Sequence, residues 1–470
     1  MNDHQTAQLK KELSNWGLLA IGVGAVIGWS WVIYAGPWST YPGSLGGVIA
    51  FIIGGILCSF IGLAYAELTS AMPRAGGDMV FTFEGLGQKW AFVTGICMIM
   101  AFVGLVTVET LMFPVILEAL GLPLVRSGML YHFAGESVFL TFIAVSIAIN
   151  ALFAYINHRG VGLAGIVQTI TVVVLVLASV FFVVSGVSLG TAANAKPLIT
   201  SAAGISMVML MVPSFMSGFN AIPQAAEETN VSPRTIGRLV IATVWACVVF
   251  YILIIVGLSF AAPAEIRSGG GVVVLSALTN LFQSNAPRVF VAIAALIGML
   301  TSWNAAYLAG SRLLLAFGRV HFLPEKFSQL HPRFSTPTLP IIIIFLISSL
   351  CTLLGTSQAI YVGIVNVLGF CLVLAWLIVS ISFLKLRKHQ PDLERPYKVP
   401  AGKLVGVLAV VLSFIFLLLY TPLNPLGGLK LGELVGLGVL ILIALILYIK
   451  YVATSPMNEK ERAKLMRHSI

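Results

Sequence analysis

Three glycines within seven residues, Gly22, Gly24 and Gly28, interrupt an otherwise apolar stretch covering residues 16–38. Each glycine in a helix interior costs up to about 1 kcal/mol relative to alanine. Within a bilayer the constraint is tighter, because unwound backbone exposes N–H and C=O groups that no water can satisfy. Such backbone persists at membrane depth only where protein or a water-filled cavity covers it, and there it can hold a ligand. A second interruption falls at Pro213-Ser214-Phe215-Met216-Ser217-Gly218-Phe219-Asn220-Ala221-Ile222-Pro223. Two broken apolar segments in one polytopic chain point to a secondary transporter with its site between the breaks.

The membrane assignment rests on composition. Of the 470 residues 59% are hydrophobic and 9% charged, with mean hydropathy +1.01, too little charge to cover a soluble surface. Apolar runs long enough to span occupy residues 16–38, 45–65, 91–117, 138–154, 161–187 and 202–226. Further runs occupy 239–260, 289–314, 341–354, 360–384, 404–419 and 434–452. This predicts an all-α fold of twelve spans, the ninth being short. With both termini cytoplasmic, only Arg126, Lys196, Arg267, Arg288 and Lys430 of the 27 Lys and Arg lie outside, as the positive-inside rule requires. The net charge of +10 is therefore spread over separate cytoplasmic loops and is no sign of nucleic-acid binding. The first span, too long and lacking a small-residue cleavage site, is not a cleavable leader.

The breaks lie in the first and sixth spans, which enter from opposite sides. Residues 15–187 and 199–385 then form two inverted repeats within a single transmembrane domain, followed by two additional helices within 404–452. Loops are short. The longest external one, residues 261–287, contains Gly269-Gly270-Gly271 and an apolar run suited to a surface helix. Cys58, Cys97, Cys247, Cys351 and Cys371 lie in spans without metal or disulfide spacing. His158, His321, His331 and His389 show no ligand spacing either, and no metal site beyond a coupling ion is expected.

Several motifs now fall into order: Gly24-Ala25-Val26-Ile27-Gly28-Trp29-Ser30; Ala66-Glu67-Leu68 followed by Met72-Pro73-Arg74-Ala75-Gly76-Gly77-Asp78; Gly218-Phe219-Asn220-Ala221 with Ala226-Glu227-Glu228; Arg312 through Arg319 with Leu323-Pro324; and Arg395-Pro396-Tyr397-Lys398-Val399-Pro400. Along nearly its whole length the chain resembles the amino acid–polyamine–organocation permeases. That resemblance implies a five-plus-five inverted repeat with two extra helices, in the plasma membrane, carrying a small amino acid by alternating access. The residues leave open a small amine or polyamine, an amino acid exchanger, and more remotely a transporter-like receptor. The spans lack the paired-Asp, Ser/Lys or HExxH arrangement of an intramembrane enzyme, so no enzyme is expected.

At the first break, free amides of Gly28, Trp29 and Ser30 at a half-helix N-terminus suit a substrate carboxylate. Carbonyls of Val26, Ser214 and Ser217 suit an ammonium group, with Ile27, Gly218 and Asn220 completing the site. Departures from the family are informative. Trp29 stands where a small residue is usual, favouring a small substrate, and Ser214 stands where a bulky aromatic is usual. Asn220 replaces an acidic residue. Leu175 occupies the place of a lysine that couples protons in several relatives, which removes that route. Leu300-Thr301-Ser302 resembles a sequence that supplies two hydroxyls to sodium, and carbonyls of Gly24, Ile27 and Gly298 complete five oxygens, the ligand type hard cations prefer. Ala25 lacks the amide a second ion would want, so at most one sodium is expected. The rival coupling group is Glu109, a carboxylate in mid-span costing roughly 3 kcal/mol to insert and hence facing the bundle interior or water. Glu67, Glu227 and Glu228 sit at cytoplasmic helix ends near Arg74, Arg234 and Arg238 and read as loop ion pairs. Partners are thus the small-molecule substrate and the bilayer, with no cofactor beyond one sodium ion or proton; no motif specifies an oligomeric state.

Overall fold

The computed structural model describes residues 9–119, 126–133, 136–269, 272–355, 358–421 and 428–468. In chain order the helices are α1 (Asn15–Val26), α2 (Trp31–Thr40), α3 (Ser44–Ala71), α4 (Gly77–Leu86) and α5 (Gln88–Ala119). They continue with α6 (Leu140–His158), α7 (Val161–Leu189), α8 (Ala202–Met216), α9 (Ala221–Ala225) and α10 (Pro233–Ala261). Next come α11 (Ala264–Arg267), α12 (Val273–Phe282), α13 (Ala286–Arg319), α14 (Thr338–Cys351) and α15 (Gln358–His389). The chain closes with α16 (Gly402–Leu418), α17 (Leu431–Tyr448) and α18 (Glu459–His468). Among the described residues nine helical stretches are long and apolar enough to cross a bilayer, and the bent pair α1–α2 makes a tenth. Residues 341–354 and 404–419 fall on α14 and α16, which are shorter, 14 and 17 residues. The run at 138–154 begins later than its hydropathy suggests: Val138 belongs to an antiparallel hairpin, β1 (Met129–Phe133) with β2 (Glu136–Phe139), because a two-stranded ribbon satisfies its backbone before the helix starts. The apolar run after the glycine-rich stretch forms α12, packed on α2 and α13; Gly270 and Gly271 lie outside the described residues.

The end of the bundle holding Leu13, Arg74 and α18 is termed here the inner end. There the segment before α1 is strapped down, with the amides of Glu12 and Leu13 donating to the carbonyl of Glu228. The acidic residues do pair at this end, with arginines other than the sequence neighbours Arg74, Arg234 and Arg238. Arg312 grips Glu228 through Nε and Nη2 at 2.7 and 2.9 Å, both side chains being 1% exposed. Arg319 grips Glu227 at 2.8 and 2.9 Å. Glu67 takes Arg387 and, at 3.1 Å, Arg395. Helix ends remote in sequence converge here, and planar guanidinium forks match carboxylates better than the nearest charge in the chain does. At the opposite, outer end, Arg267 is buried with donors spent on the carbonyls of Ser39, Ala262, Asn194 and Lys196 and on Ser44 Oγ.

Helices α1 and α2 meet at 60° across Ile27–Ser30. Helix α8 ends at Met216, and α9 resumes at Ala221. The two interruptions lie back to back. Gly218, at φ 149°, presses its backbone so closely on α1 that a Cβ there would lie 2.6 Å from the Ala25 carbonyl carbon and 2.7 Å from the Val26 nitrogen. No side chain fits this position, for steric and conformational reasons together. Behind the crossing, Trp38 packs against Phe215, Phe51 and Tyr251 at 4.8, 4.9 and 5.1 Å, which holds α2 to α3, α8 and α10. Towards the inner end Phe219 stacks on Trp376 at 5.4 Å and meets Tyr65 edge-on at 5.3 Å, all three fully buried.

Gly218→Ala should push the two unwound segments apart. Purified protein is expected to unfold at lower temperature and lose ligand-induced stabilisation; an unchanged melting profile would show that the backbones do not touch here.

Candidate substrate site between the broken helices

A cavity of about 500 Å³ lies against the breaks and extends towards the outer end, where Leu419, Tyr420 and Leu429 line it. Val26, Gly28, Trp29, Ser30, Ser214, Ser217, Gly218 and Asn220 all border it, as do Glu109 and Ser302. Ile27 is turned away and buried. Glu109 is the single charged residue of the described lining.

The break in the first span is built locally. The Gly28 amide donates back to the Val26 carbonyl at 3.2 Å, a tight turn that leaves the amides of Trp29 and Ser30 without a backbone acceptor among the described residues. Those amides open α2, and both residues line the cavity, the setting in which a helix start attracts an anion. The Val26 carbonyl also receives the Tyr251 hydroxyl at 3.1 Å. The Ser214 carbonyl accepts from Ser217 Oγ at 2.8 Å. The Ser214 oxygen keeps a second lone pair, whereas that of Val26 already accepts from both Gly28 and Tyr251. Asn220 is 1% exposed and points its amide nitrogen at Met98 Sδ, 3.7 Å away, while its Oδ1 has no donor. A buried acceptor left open beside a cavity is available to a substrate ammonium. Trp29 is half-buried against the cavity with Glu109 as neighbour, whereas Trp31 points away, between Phe182 and Phe250.

Glu109 of α5 is buried inside the bundle, and its Oε1 accepts from Ser302 Oγ of α13; Oε2 has no donor in hydrogen-bonding position. Gly28 sits across from the same serine, since a Cβ on it would lie 3.2 Å from Ser302 Oγ. On the preceding residue, Thr301 Oγ1 lies 2.6 Å from the Gly298 carbonyl, 3.0 Å from that of Gly24 and 3.3 Å from that of Ile27. One hydroxyl proton cannot satisfy three carbonyls, so four oxygens converge with acceptor capacity to spare. Leu175 packs beside this cluster, its Cδ1 3.0 Å from the place a Gly298 Cβ would take. Ser302, the fifth oxygen expected at this point, is instead directed to Glu109.

Gln168 of α7 was not singled out by sequence pattern, yet it underpins the cluster. Its Nε2 donates to the carbonyls of Ala20 and Thr301 at 3.2 and 3.1 Å, and its Oε1 accepts from Asn304 at 2.8 Å. Asn304 in turn accepts from Asn157 at 2.9 Å. A Cβ on Gly24 would fall 2.1 Å from Gln168 Nε2, so Gly24 is required for this amide to reach α1. The available signal was the run of amide residues at 157, 168 and 304 in otherwise apolar helices, since buried polar groups in lipid must find partners in one another.

Comparison with known proteins agrees with this architecture. The family model described as "Amino acid permease" matches residues 13–451. The Bacillus subtilis branched-chain amino acid permease BcaP is 25% identical over 416 residues, covering 87% of this chain and 88% of that one. The serine/threonine exchanger SteT of the same organism is 25% identical over 438 residues, covering 91% and 95%. Its methylthioribose transporter is 23% identical over 422 residues, covering 88% and 89%. With a match that spans almost the whole chain, this multi-pass membrane protein belongs to the amino acid permease family of the amino acid–polyamine–organocation superfamily, a family of transporters and not of enzymes.

Proposed function

We propose that this protein carries small neutral amino acids across the plasma membrane by alternating access, with both termini in the cytoplasm. The observation that carries the reading is the juxtaposition of two unwound backbones beside one cavity. The substrate carboxylate lies on the amides of Trp29 and Ser30, next to Gly28. Its ammonium group lies among the carbonyls of Val26, Ser214 and Ser217, with Asn220 Oδ1 within the same wall. The names of BcaP and SteT support amino acids over amines, and the lining, with one carboxylate and no cation, supports a neutral side chain. The half-buried Trp29 indole and the apolar residues around it keep that side chain small. Helices α14 and α16 complete twelve spans in this reading, arranged as an inverted repeat plus two.

Coupling is assigned to one sodium ion at Gly24, Ile27, Gly298 and Thr301, with Ser302 turning from Glu109 to supply the fifth oxygen. The surplus of carbonyl acceptors around the Thr301 hydroxyl supports it. A second reading places a proton on Glu109, supported by its bond to Ser302 at the cavity wall. The two readings share Ser302, whose hydroxyl either bonds Glu109 or turns to the ion.

Uptake of radiolabelled alanine, serine and valine into proteoliposomes, with an imposed sodium or pH gradient, tests both. Under the sodium assignment uptake rises with the inward sodium gradient, and Thr301→Ala with Ser302→Ala removes that dependence. Transport that ignores sodium in the unmodified protein and loses its pH dependence in Glu109→Gln establishes the proton reading instead. Gly28→Val should abolish substrate-induced thermal stabilisation while the protein remains folded, because the new side chain crowds Ser302 and the approach to the Trp29 and Ser30 amides. Stabilisation that survives this change would remove the carboxylate from the break.

A further inference from the structure

Met207, Leu210 and Met211 of α8 and Leu372 and Val373 of α15 give the cavity an apolar lining. One further part of its wall comes from outside both broken spans. Tyr420, just beyond α16, is pinned through its backbone, its amide donating to the Leu417 carbonyl at 3.1 Å and its carbonyl accepting from Leu429 at 3.1 Å. From there the side chain reaches across to α15 and α8. The phenol oxygen would lie 2.1 Å from a Cβ on Gly369, and two ring carbons 2.9 and 3.1 Å from it, so the ring rests directly on bare backbone. The ring meets Phe370 at 6.2 Å and an interplanar angle of 81°, and its hydroxyl lies beside that of Ser214. A large rigid group is thus set against a serine and a glycine, the small residues that leave room for it.

We propose that Tyr420 determines which substrate side chains the cavity accepts: its ring fills the space between Gly369 and Ser214 and so excludes aromatic amino acids. The inference rests on the reading of this cavity as the substrate site, with the charged end of the substrate at the breaks. The phenol lies beside Ser214, at the level of the break, so an amino acid side chain held there must share the space between Gly369 and Ser214 with the ring. Selectivity then belongs partly to the segment after α16. Removing the ring joins the chamber to the space it fills, and pockets of this kind discriminate by roughly 10–200-fold for each methylene they reject.

The test is competition of unlabelled valine, leucine and phenylalanine against labelled substrate, together with thermal stabilisation of the purified protein by each. The unmodified protein should favour valine and leucine. Tyr420→Ala and the milder Tyr420→Leu should raise the relative potency of phenylalanine by about tenfold or more, while Tyr420→Phe keeps the original order. Gly369→Ala, which collides with the phenol, should weaken every substrate, and combining it with Tyr420→Ala should restore binding. If Tyr420→Ala and Tyr420→Leu leave the phenylalanine-to-valine ratio unchanged while Ser214→Phe alters it, the cavity is the site and Tyr420 does not set its size. If no amino acid stabilises or competes in the unmodified protein, the reading of the cavity itself falls, and with it the assignment of Tyr420.

Discussion

The contact on which the rest depends is backbone against backbone: Gly218 laid on Ala25 and Val26 with no side chain between them. Unwound backbone in a membrane is costly unless its polar groups are covered. Here each break is the cover of the other, so neither could persist alone. Their crossing leaves a small set of amides and carbonyls uncommitted beside a cavity whose remaining walls are mostly apolar, with Glu109, Ser302 and Asn366 among them. A ligand with separated positive and negative ends and a modest apolar body is what such a surface complements.

Polar residues elsewhere in the bundle serve that crossing. Gln168 ties α7 to α1 and α13 at the level of Gly24, and the chain through Asn304 and Asn157 extends the tie to α6. Every side-chain amide nitrogen in the chain has an acceptor, while Asn157 Oδ1 at its end has no donor. Ser302 stands where this rigid network meets the cavity, one neighbour of its helix turn engaged with α1 and its own hydroxyl with Glu109. A residue placed at such a junction can report the state of one side to the other.

At the inner end the charged groups are handled differently. Glu228 and Arg312 are removed from water altogether, and Glu227 and Arg319 nearly so. Buried pairs of this kind contribute little net stability but make it expensive to separate the partners, because each would be left charged and alone. Together with the stacked Phe219 and Trp376 they make the inner end the closed one in this structure, with the cavity extending the other way.

Much of this was legible from residue order. Hydropathy located most of the helices because lipid admits little else, and a glycine cluster marked the first break while Gly218 between Pro213 and Pro223 marked the second. The motif order identified the family; that the Thr301 hydroxyl meets the carbonyls of Gly24, Ile27 and Gly298 is seen only once the helices pack. What the order of residues could not provide were contacts between helices remote in the chain. The arginine partners of Glu67, Glu227 and Glu228, the amide chain through Gln168, the Glu109–Ser302 bond and the reach of Tyr420 to Gly369 each join positions tens to hundreds of residues apart. Periodicity reports which face of a helix is buried; which neighbour it is buried against is decided only when the helices pack.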